Sequence, residues 1–570
     1  MLSPSDTALP RCPLCSLLCP MGAEENAMGH VRSVYPADLG LDRQGACVRG
    51  VTAARLMDCG QRALRARRYG RAAAVDEAVA EAVAVLRDKE PTRTAIVVDV
   101  NRPLEGVAAV AEVCRRAGAH LAVFGPPEDL PLVDAGLLDP EGRPPLAGLS
   151  ACDLVLAVGD PFSTHPAVAM PVRDMQFAAR GNRLISVDAF PGRTTAEATE
   201  SVVPGPQGLA AFLAALAVQC GADTTGWKLG GQTPRDICEG LGLPMDHVRT
   251  VAAALKEASS PGVLVSLSLG RCTAARAAAA AVRLLAAAVG AKLWSLTVSA
   301  NSGALRRLEQ VYGARPLAVL LGEAAAGELD VLMVAGWDPA SVMAGATWRK
   351  LSETCATVCW AASLESPFDA SADVVLPLKL AWEEAGTMVG PSGEPVLCAA
   401  WPAAGQSAMG LAELADRLAA GLGVGPLPEP DVGSLVSSGA AQAGPERSIT
   451  ADVLRPQPLS QGQVYVVGLP EPQGFTGGVS LGTAHWQRRV CAEERVAVPA
   501  DLVRALGLGD GQTIDLTNGD TVSMPWRLQP GPHGVVGVPT HWPQLRELLQ
   551  PEGAEDPLHF AARPVGAGNA

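Results

Sequence analysis

Arg11-Cys-Pro-Leu-Cys-Ser-Leu-Leu-Cys-Pro20, joined by Gly45-Ala-Cys-Val-Arg-Gly50, sets four cysteines in the pattern C-x2-C-x3-C-x27-C at the start of the chain. Cys12, Cys15 and Cys19 share a tight loop that can turn several sulfurs toward one point, and Cys47 returns to complete the set. Four thiolates arranged as three plus one suit a 4Fe-4S cubane. A structural zinc ion also takes four thiolates, but its ligands usually come as two separated pairs. Coincidence is a third reading in a chain with 14 cysteines among 570 residues.

That length exceeds what one core organises and predicts about three or four folding units. Hydrophobic residues make up 48% of the chain and aromatic residues only 4%, so the interior has to be built from Ala, Val and Leu. Closely packed α/β layers allow this. The formal net charge of -14, with no clustered Lys and Arg, argues against a nucleic-acid surface. Met1 to Pro10 has no basic segment followed by an apolar core, so neither a secretory nor a twin-arginine signal is read there. The most apolar stretch, Ala274 to Trp294, is interrupted by Arg276, Arg283 and Lys292, which predicts a buried or amphipathic helix and no membrane span. These features together predict a cytoplasmic protein. The other cysteines form no disulfide framework and read as small apolar core residues, Cys355 and Cys359 as one face of a buried strand.

Beyond the cysteines, short apolar runs alternate with helical segments, the pattern of an α/β protein built on parallel sheets. The expected organisation is a cluster region over 1–70, a first α/β domain over 71–245 and a second over 246–420. Strands are predicted at Thr94–Val100, His120–Phe124, Asp153–Gly159 and Arg183–Asp188 in the first domain. In the second they are predicted at Gly262–Leu267, Lys292–Val298, Asp330–Gly336, Ala356–Trp360 and Ala372–Pro377. Pro, Gly, Ser and Ala without periodicity mark 421–463 as a linker. Short strands in close succession over 464–570 predict a small β-barrel.

Taken in order, these features resemble the molybdopterin oxidoreductases that carry a bis-guanine-dinucleotide cofactor. Cys47-Val-Arg-Gly50 is similar to that family's fourth-ligand signature. Gly159-Asp-Pro161 with His165-Pro166, Val187-Asp188, Thr195-Ala196, Pro204-Gly205, Asn301-x-Gly303, Gly336-Trp-Asp-Pro339, Ala372-Asp-Val-Val-Leu-Pro377 and Glu384-Ala-Gly-Thr387 follow in the family's order. The resemblance implies a 4Fe-4S loop, two Rossmann-like domains and a C-terminal double-psi β-barrel. It also implies Arg49 between cluster and pterin, a molybdopterin guanine dinucleotide with Mo or W, and partner redox subunits. The chain looks most similar to the B subunit of formylmethanofuran dehydrogenase with the barrel fused, which implies an oxidoreductase passing electrons in C1 metabolism of formyl groups, formate or CO2. The alternative is a non-catalytic scaffold or cofactor-less relative, like the large iron-sulfur subunit of NADH dehydrogenase.

Dinucleotides are held by backbone donors at Gly-rich strand ends, and Gly159, Gly205 and Gly336 stand at such ends. Asp188 can accept hydrogen bonds from a ribose or guanine, or is a satisfied strand-end carboxylate. Asp160 would repel a pyrophosphate unless it pairs with a donor. His165, Arg173 and Arg193 read either as phosphate contacts or as ordinary loop side chains. Catalytic relatives ligate their metal where a strand of the first α/β domain meets its helix, expected here at Val97–Gly106. That junction holds no Cys or Ser. Asp99 sits inside the strand, Glu105 suits a first helical turn, and Cys114 lies well into the helix. No Ser-His-Asp or G-x-S-x-G arrangement supports hydrolysis.

Overall fold

The computed structural model describes residues 9–25, 31–36, 47–53, 62–138, 143–229, 231–267, 272–336, 345–362, 371–401, 408–436, 449–450, 454, 463–469, 495–509, 512–518, 520–539 and 559–564. The chain divides into two compact units. The first combines Met1–Pro126, Val298–Ala441 and Thr476–Arg489, and the second Pro127–Thr297, Gln442–Phe475 and Val490–Ala570. The strands that organise them are β1 (Thr94–Asp99), β2 (His120–Phe124), β3 (Leu154–Gly159), β4 (Arg183–Val187), β5 (Glu200–Val202), β6 (Pro261–Ser266), β7 (Lys292–Ser295), β8 (Val331–Ala335), β9 (Ala356–Ala361) and β10 (Val374–Pro377).

In the first unit the parallel strands lie in the order β10-β9-β8-β1-β2, and the short pair Arg67–Arg68 and Arg71–Ala72 extends the sheet beyond β10 in antiparallel fashion. In the second unit the order is β5-β4-β3-β6-β7, all parallel. This corrects the sequential division at 71–245 and 246–420. β1 and β2 belong with β8 to β10, while β3 to β7 form a sheet of their own between them in the chain. An apolar run buried on both faces specifies a strand but not its neighbours, so sheet membership is set by packing.

Local signals place the elements well. Helix α2 (Leu104–Ala117) follows Pro103, carries Glu105 in its first turn and Arg115 and Arg116 in its last, and ends at Gly118 with φ 74°. Acidic start, basic end and a left-handed glycine stop are what the helix dipole and its unpaired carbonyls favour. It is preceded in the chain by the short helix α1 (Val48–Thr52).

Both sheets have a point where strand order reverses, between β1 and β8 in the first unit and between β3 and β6 in the second. Crevices outside the carboxyl ends of strands at such points are the usual ligand sites of open α/β sheets. Gly159 ends β3 with φ 84°, and a Cβ there would come within 2.0 Å of the Ser266 carbonyl oxygen at the end of β6. No other residue fits that close approach.

Among the described residues a closed barrel is formed by Gln463–Leu469, Val535–Pro539, Val496–Val498, Asp520–Leu528, Thr513–Asn518 and His559–Pro564, paired in that order. Val464, Val466, Ile514, Leu516, Val536 and Val538 share one core, while Tyr465, Val467 and Leu469 pack with Phe190 on the opposite face. The period of two along each strand produces this division. Part of the expected linker proves anchored to the first unit: the Arg116 guanidinium donates to the carbonyls of Val424 at 2.9 Å and Pro426 at 2.7 Å, and Arg307 donates to Ser434 at 3.2 Å. Its continuation over 437–448 lies outside the described residues.

Asp99 closes β1 with its carboxylate accepting the Asn101 N–H at 2.9 Å. Burial pushes its carboxyl up to about 6, with Arg102 and the Asn101 N–H opposing the shift. The folded chain then keeps a proton that the unfolded chain releases near pH 4, so stability falls as pH rises from about 4 to about 6 and stays lower above that. A shift of this size corresponds to at most about 3 kcal/mol. Asp99→Asn retains the acceptor and is expected to raise the thermal midpoint above wild type at pH 8 but not at pH 4; an equal change at both pH values would contradict this.

Candidate functional site

The cysteine loop is built by short backbone hydrogen bonds. Cys12 N–H donates to Cys19 O at 3.0 Å, Leu18 N–H to Cys15 O at 3.4 Å, and the Arg11 guanidinium to Leu18 O at 3.1 Å. Leu18 adopts φ 43°, a left-handed conformation that costs a non-glycine residue about 1 kcal/mol or more, and it is fully buried against Ala300, Met388 and Cys398. Burial of its side chain holds the turn that carries the chain from Cys15 to Cys19. The stretch before the loop adds Leu9–Pro10 as a parallel partner of Pro395–Ala399.

Cys12, Cys15 and Cys19 are buried and Cys47 is half-buried at the start of α1. Burial raises the thiols of Cys12 and Cys19 well above the ordinary range, and negative charge on the neighbouring cysteines, Cys47 among them, raises both further. Cys19 therefore lies within electrostatic reach of the other three, and Cys12 of Cys15 and Cys47. Cys47 moves the opposite way: burial pushes it up, but the Arg49 charge, the backbone N–H groups of Gly50 and Arg49, and a hydrogen bond from the Arg49 side chain bring it below its usual value. Arg49 is completely buried and its charged form is favoured by Cys47, Cys15 and Cys12 against the cost of burial. A buried guanidinium is tolerable only beside negative charge, which Cys47, shifted toward its thiolate, is placed to provide.

Asn101 and Asn301 join this loop to the reversal point of the first sheet. Asn101 donates from its side chain to Pro13 O at 3.0 Å, within the cysteine loop, and accepts from Ser299 Oγ and Ala300 N–H. Asn301 donates to Val100 O at 2.9 Å and Arg102 O at 2.6 Å and accepts from Val389 N–H at 2.8 Å. Asn301 was marked by its motif. Asn101 carried no signal beyond its place after a strand, and Arg102 was equally silent.

Gly336 follows β8 with φ 77°, and a Cβ there would lie 2.8 Å from Arg102 Nε. The expected dinucleotide turn thus faces a guanidinium of the chain itself, and Trp337-Asp-Pro339 lies outside the described residues. No carboxylate at the β1–α2 connection is placed as a free ligand. Glu105 accepts from Thr387 N–H at 2.8 Å and from Thr387 Oγ1 at 2.7 Å, and Cys114 is buried within α2 with its thiol pushed up by burial.

In the second unit, Asp160 is buried and its carboxylate accepts from Thr194 N–H at 3.0 Å and Thr194 Oγ1 at 2.8 Å. The donors that its position demanded are therefore present. Asp188 is fully buried at the end of β4 and accepts from Ala189 N–H at 2.7 Å. It ends the strand beside β3, where dinucleotide folds carry an acidic residue for the ribose. Gly205 has φ 80° and lies before the helix Leu209–Cys220. His165 is buried, with Nδ1 on Thr164 Oγ1 at 2.9 Å and Nε2 on Thr297 O at 2.8 Å, so both ring nitrogens serve the fold. Arg173 pairs with Glu197, and Arg193 is exposed.

The donor set near the amino terminus fits an iron–sulfur cluster: four grouped thiols, one with a depressed pKa, around a buried cation. Among the described residues no three His, Cys, Asp or Glu side chains are placed for a single metal ion. A cubane is larger than one ion and spreads its ligands more widely. The β1–α2 connection does not fit a side-chain ligand for Mo or W, because its carboxylates are engaged elsewhere.

No protein-family model and no curated protein matches the sequence. Among solved structures, the chain is similar to acetylene hydratase from Pelobacter acetylenicus, with a TM-score of 0.67, 14% identity, and coverage of 98% of this chain and 100% of that one. The formyltransferase/hydrolase complex FhcABCD from Methylorubrum extorquens, solved with methylofuran, aligns at a TM-score of 0.45 and 17% identity over 63% of this chain and 98% of that one. Among the described residues no helix is long and apolar enough to cross a membrane. The chain has the fold of acetylene hydratase along nearly its whole length.

Proposed function

We propose that this chain is a cytoplasmic iron–sulfur subunit of a molybdopterin-oxidoreductase-type complex acting on C1 substrates, with other redox subunits as its partners. Cys12, Cys15, Cys19 and Cys47 would hold one 4Fe-4S cluster, and the observation that carries the reading is the buried Arg49 among these grouped thiols. Such a cluster, when bound, supplies one-electron transfer. The chain's own residues prepare that site. Arg49 favours the deprotonated sulfur of Cys47, and its fixed charge would raise the reduction potential of a negatively charged neighbour. Leu18 keeps the loop closed and the three buried cysteines away from water.

A guanine-dinucleotide pterin would lie along strand ends that present backbone and a buried acid, with Gly159 and Gly205 supplying close approach and Asp188 the acceptor for ribose or guanine. The double-psi form of the barrel belongs to this same reading. The engaged carboxylates at the β1–α2 connection favour a second possibility within it, a subunit that carries electrons or supports the assembly while another chain performs the chemistry.

Elemental analysis of anaerobically purified protein is expected to give about four iron and four sulfide per chain, with visible absorption that bleaches on reduction. Zinc in their place, with no absorption, would refute the electron-carrying role. One Mo or W with extractable pterin would favour the catalytic form, and iron alone the supporting one. Cys47→Ala should lose most of the iron while keeping the far-ultraviolet dichroism of the sheets. Arg49→Met should keep iron but lower the reduction potential measured by dye titration; an unchanged potential would remove Arg49 from its assigned role.

A further inference from the structure

Arg62, Arg65, Arg67, Arg68 and Arg71 fall within ten positions, and no acidic residue lies between Asp58 and Asp76. In a chain of formal net charge -14 this run is locally positive, and it corrects the reading of the chain as lacking clustered basic residues. The fold puts it at a boundary. Arg67–Arg68 and Arg71–Ala72 pair as an antiparallel hairpin, and among the described residues Arg71–Ala72 is the outermost strand of the first unit's sheet. Tyr69 and Gly70 turn the hairpin with φ 48° and 76°. A Cβ on Gly70 would meet nothing within 4 Å, and Tyr69 is 60% exposed, so the tip is open to an incoming surface.

The acids around the hairpin do not balance it. Glu81 pairs with Arg68 and accepts the Tyr69 hydroxyl at 2.8 Å. Asp373, whose charge also reaches Tyr69, is engaged by Thr357 N–H at 2.8 Å and Thr357 Oγ1 at 3.1 Å. Arg62 is committed to Glu383 inside the fold. Among the described residues Arg67 donates to the Gly70 carbonyl at 3.3 Å, while Arg65 and Arg71 are exposed and make no ion pair. Arg71 also stands directly opposite Arg68 across the hairpin. Like charges in that register destabilise paired strands, and Glu81 answers one of the two. The free hairpin therefore holds a repulsion that an incoming carboxylate would relieve.

Two copies of the chain joined edge to edge here would set arginine against arginine. Nucleic acid would carry its charge continuously past the hairpin onto an acidic chain, whereas a short acidic segment confines its charge to a few guanidinium groups. Carboxylates also match the planar donor fork of arginine in bidentate fashion. We infer that the hairpin Arg67–Ala72, together with Arg65, is a docking site for an acidic segment of a partner protein, whose carboxylates engage Arg65, Arg67 and Arg71. The surface lies outside the cysteine loop and does not rest on the iron–sulfur reading.

The test is fluorescence-anisotropy titration of the full chain with a dye-labelled decaglutamate peptide, beside a short single-stranded RNA, at low and high salt, with sedimentation of the chain followed in parallel. Decaglutamate should bind saturably, more tightly than the RNA, and more weakly as salt rises. The double variant Arg65→Glu with Arg71→Glu should weaken that binding by on the order of tenfold or more. Arg180→Glu with Arg235→Glu, an equal change of charge at exposed positions of the second unit, should leave it nearly unchanged. Arg71→Glu alone should bind less well yet raise the thermal midpoint, because a glutamate opposite Arg68 replaces repulsion with attraction; a merely structural role would move both together. Cys47→Ala should leave peptide binding as it is, which separates this surface from the iron–sulfur site. Absence of saturable decaglutamate binding, equal losses in the two double variants, an Arg71→Glu chain that is less stable or binds like wild type, tighter RNA binding through the same arginines, or self-association that Arg65→Glu with Arg71→Glu abolishes would each overturn the assignment.

Discussion

A guanidinium carried out of water must have negative charge beside it, and this requirement organises the amino-terminal site. Arg49 is completely buried and its charge is supported by Cys47, Cys15 and Cys12. Removing the positive charge would leave only the backbone N–H groups of Gly50 and Arg49 to oppose burial at Cys47, and burial favours the neutral thiol. Thiolate and guanidinium therefore depend on each other, and the loop that presents them is held by a strained, buried leucine and by Asn101 reaching from the sheet to Pro13.

The same economy of charge recurs at the carboxyl ends of both sheets. Asp160 is hydrogen-bonded by donors from Thr194 at the end of one sheet, and Arg102 is paired with Glu384 at the end of the other. Parallel sheets covered on both faces bury their strands completely, so polar side chains collect where the strands stop. In the second unit the acid is fully engaged, and the reversal point presents backbone and glycine. In the first it presents Arg102, held by Glu384 and the Lys379 carbonyl. Two crevices of similar plan thus differ in chemistry because one ends in an acid with donors around it and the other in a base with acids around it.

Much of the local structure was legible from residues alone. Ile96-Val-Val98 and Leu154-Val-Leu-Ala-Val158 could only be buried strands, and Gly118 after Arg115 and Arg116 marked the end of a helix. The alternation of Val464, Tyr465, Val466 and Val467 set the two faces of a barrel strand. Asp160 was flagged for want of a donor, and the donor is Thr194. Arg102, Asn101 and the partner of Glu105 could not be found this way, because each acts across hundreds of positions or through a turn with no pattern of its own.

The sequence by itself determined that four cysteines, an arginine two places after the last of them, and a run of strand-ending glycines would be the chemical features of this chain, since residue type and spacing are local facts. Only the tertiary structure decided which strands share a sheet: β1 pairs with β8, more than two hundred residues later, past a complete second sheet. Apolar runs buried on both faces are interchangeable as partners, and the choice among them is made by helix packing and by buried charges that must meet. That choice sets Gly336 against Arg102.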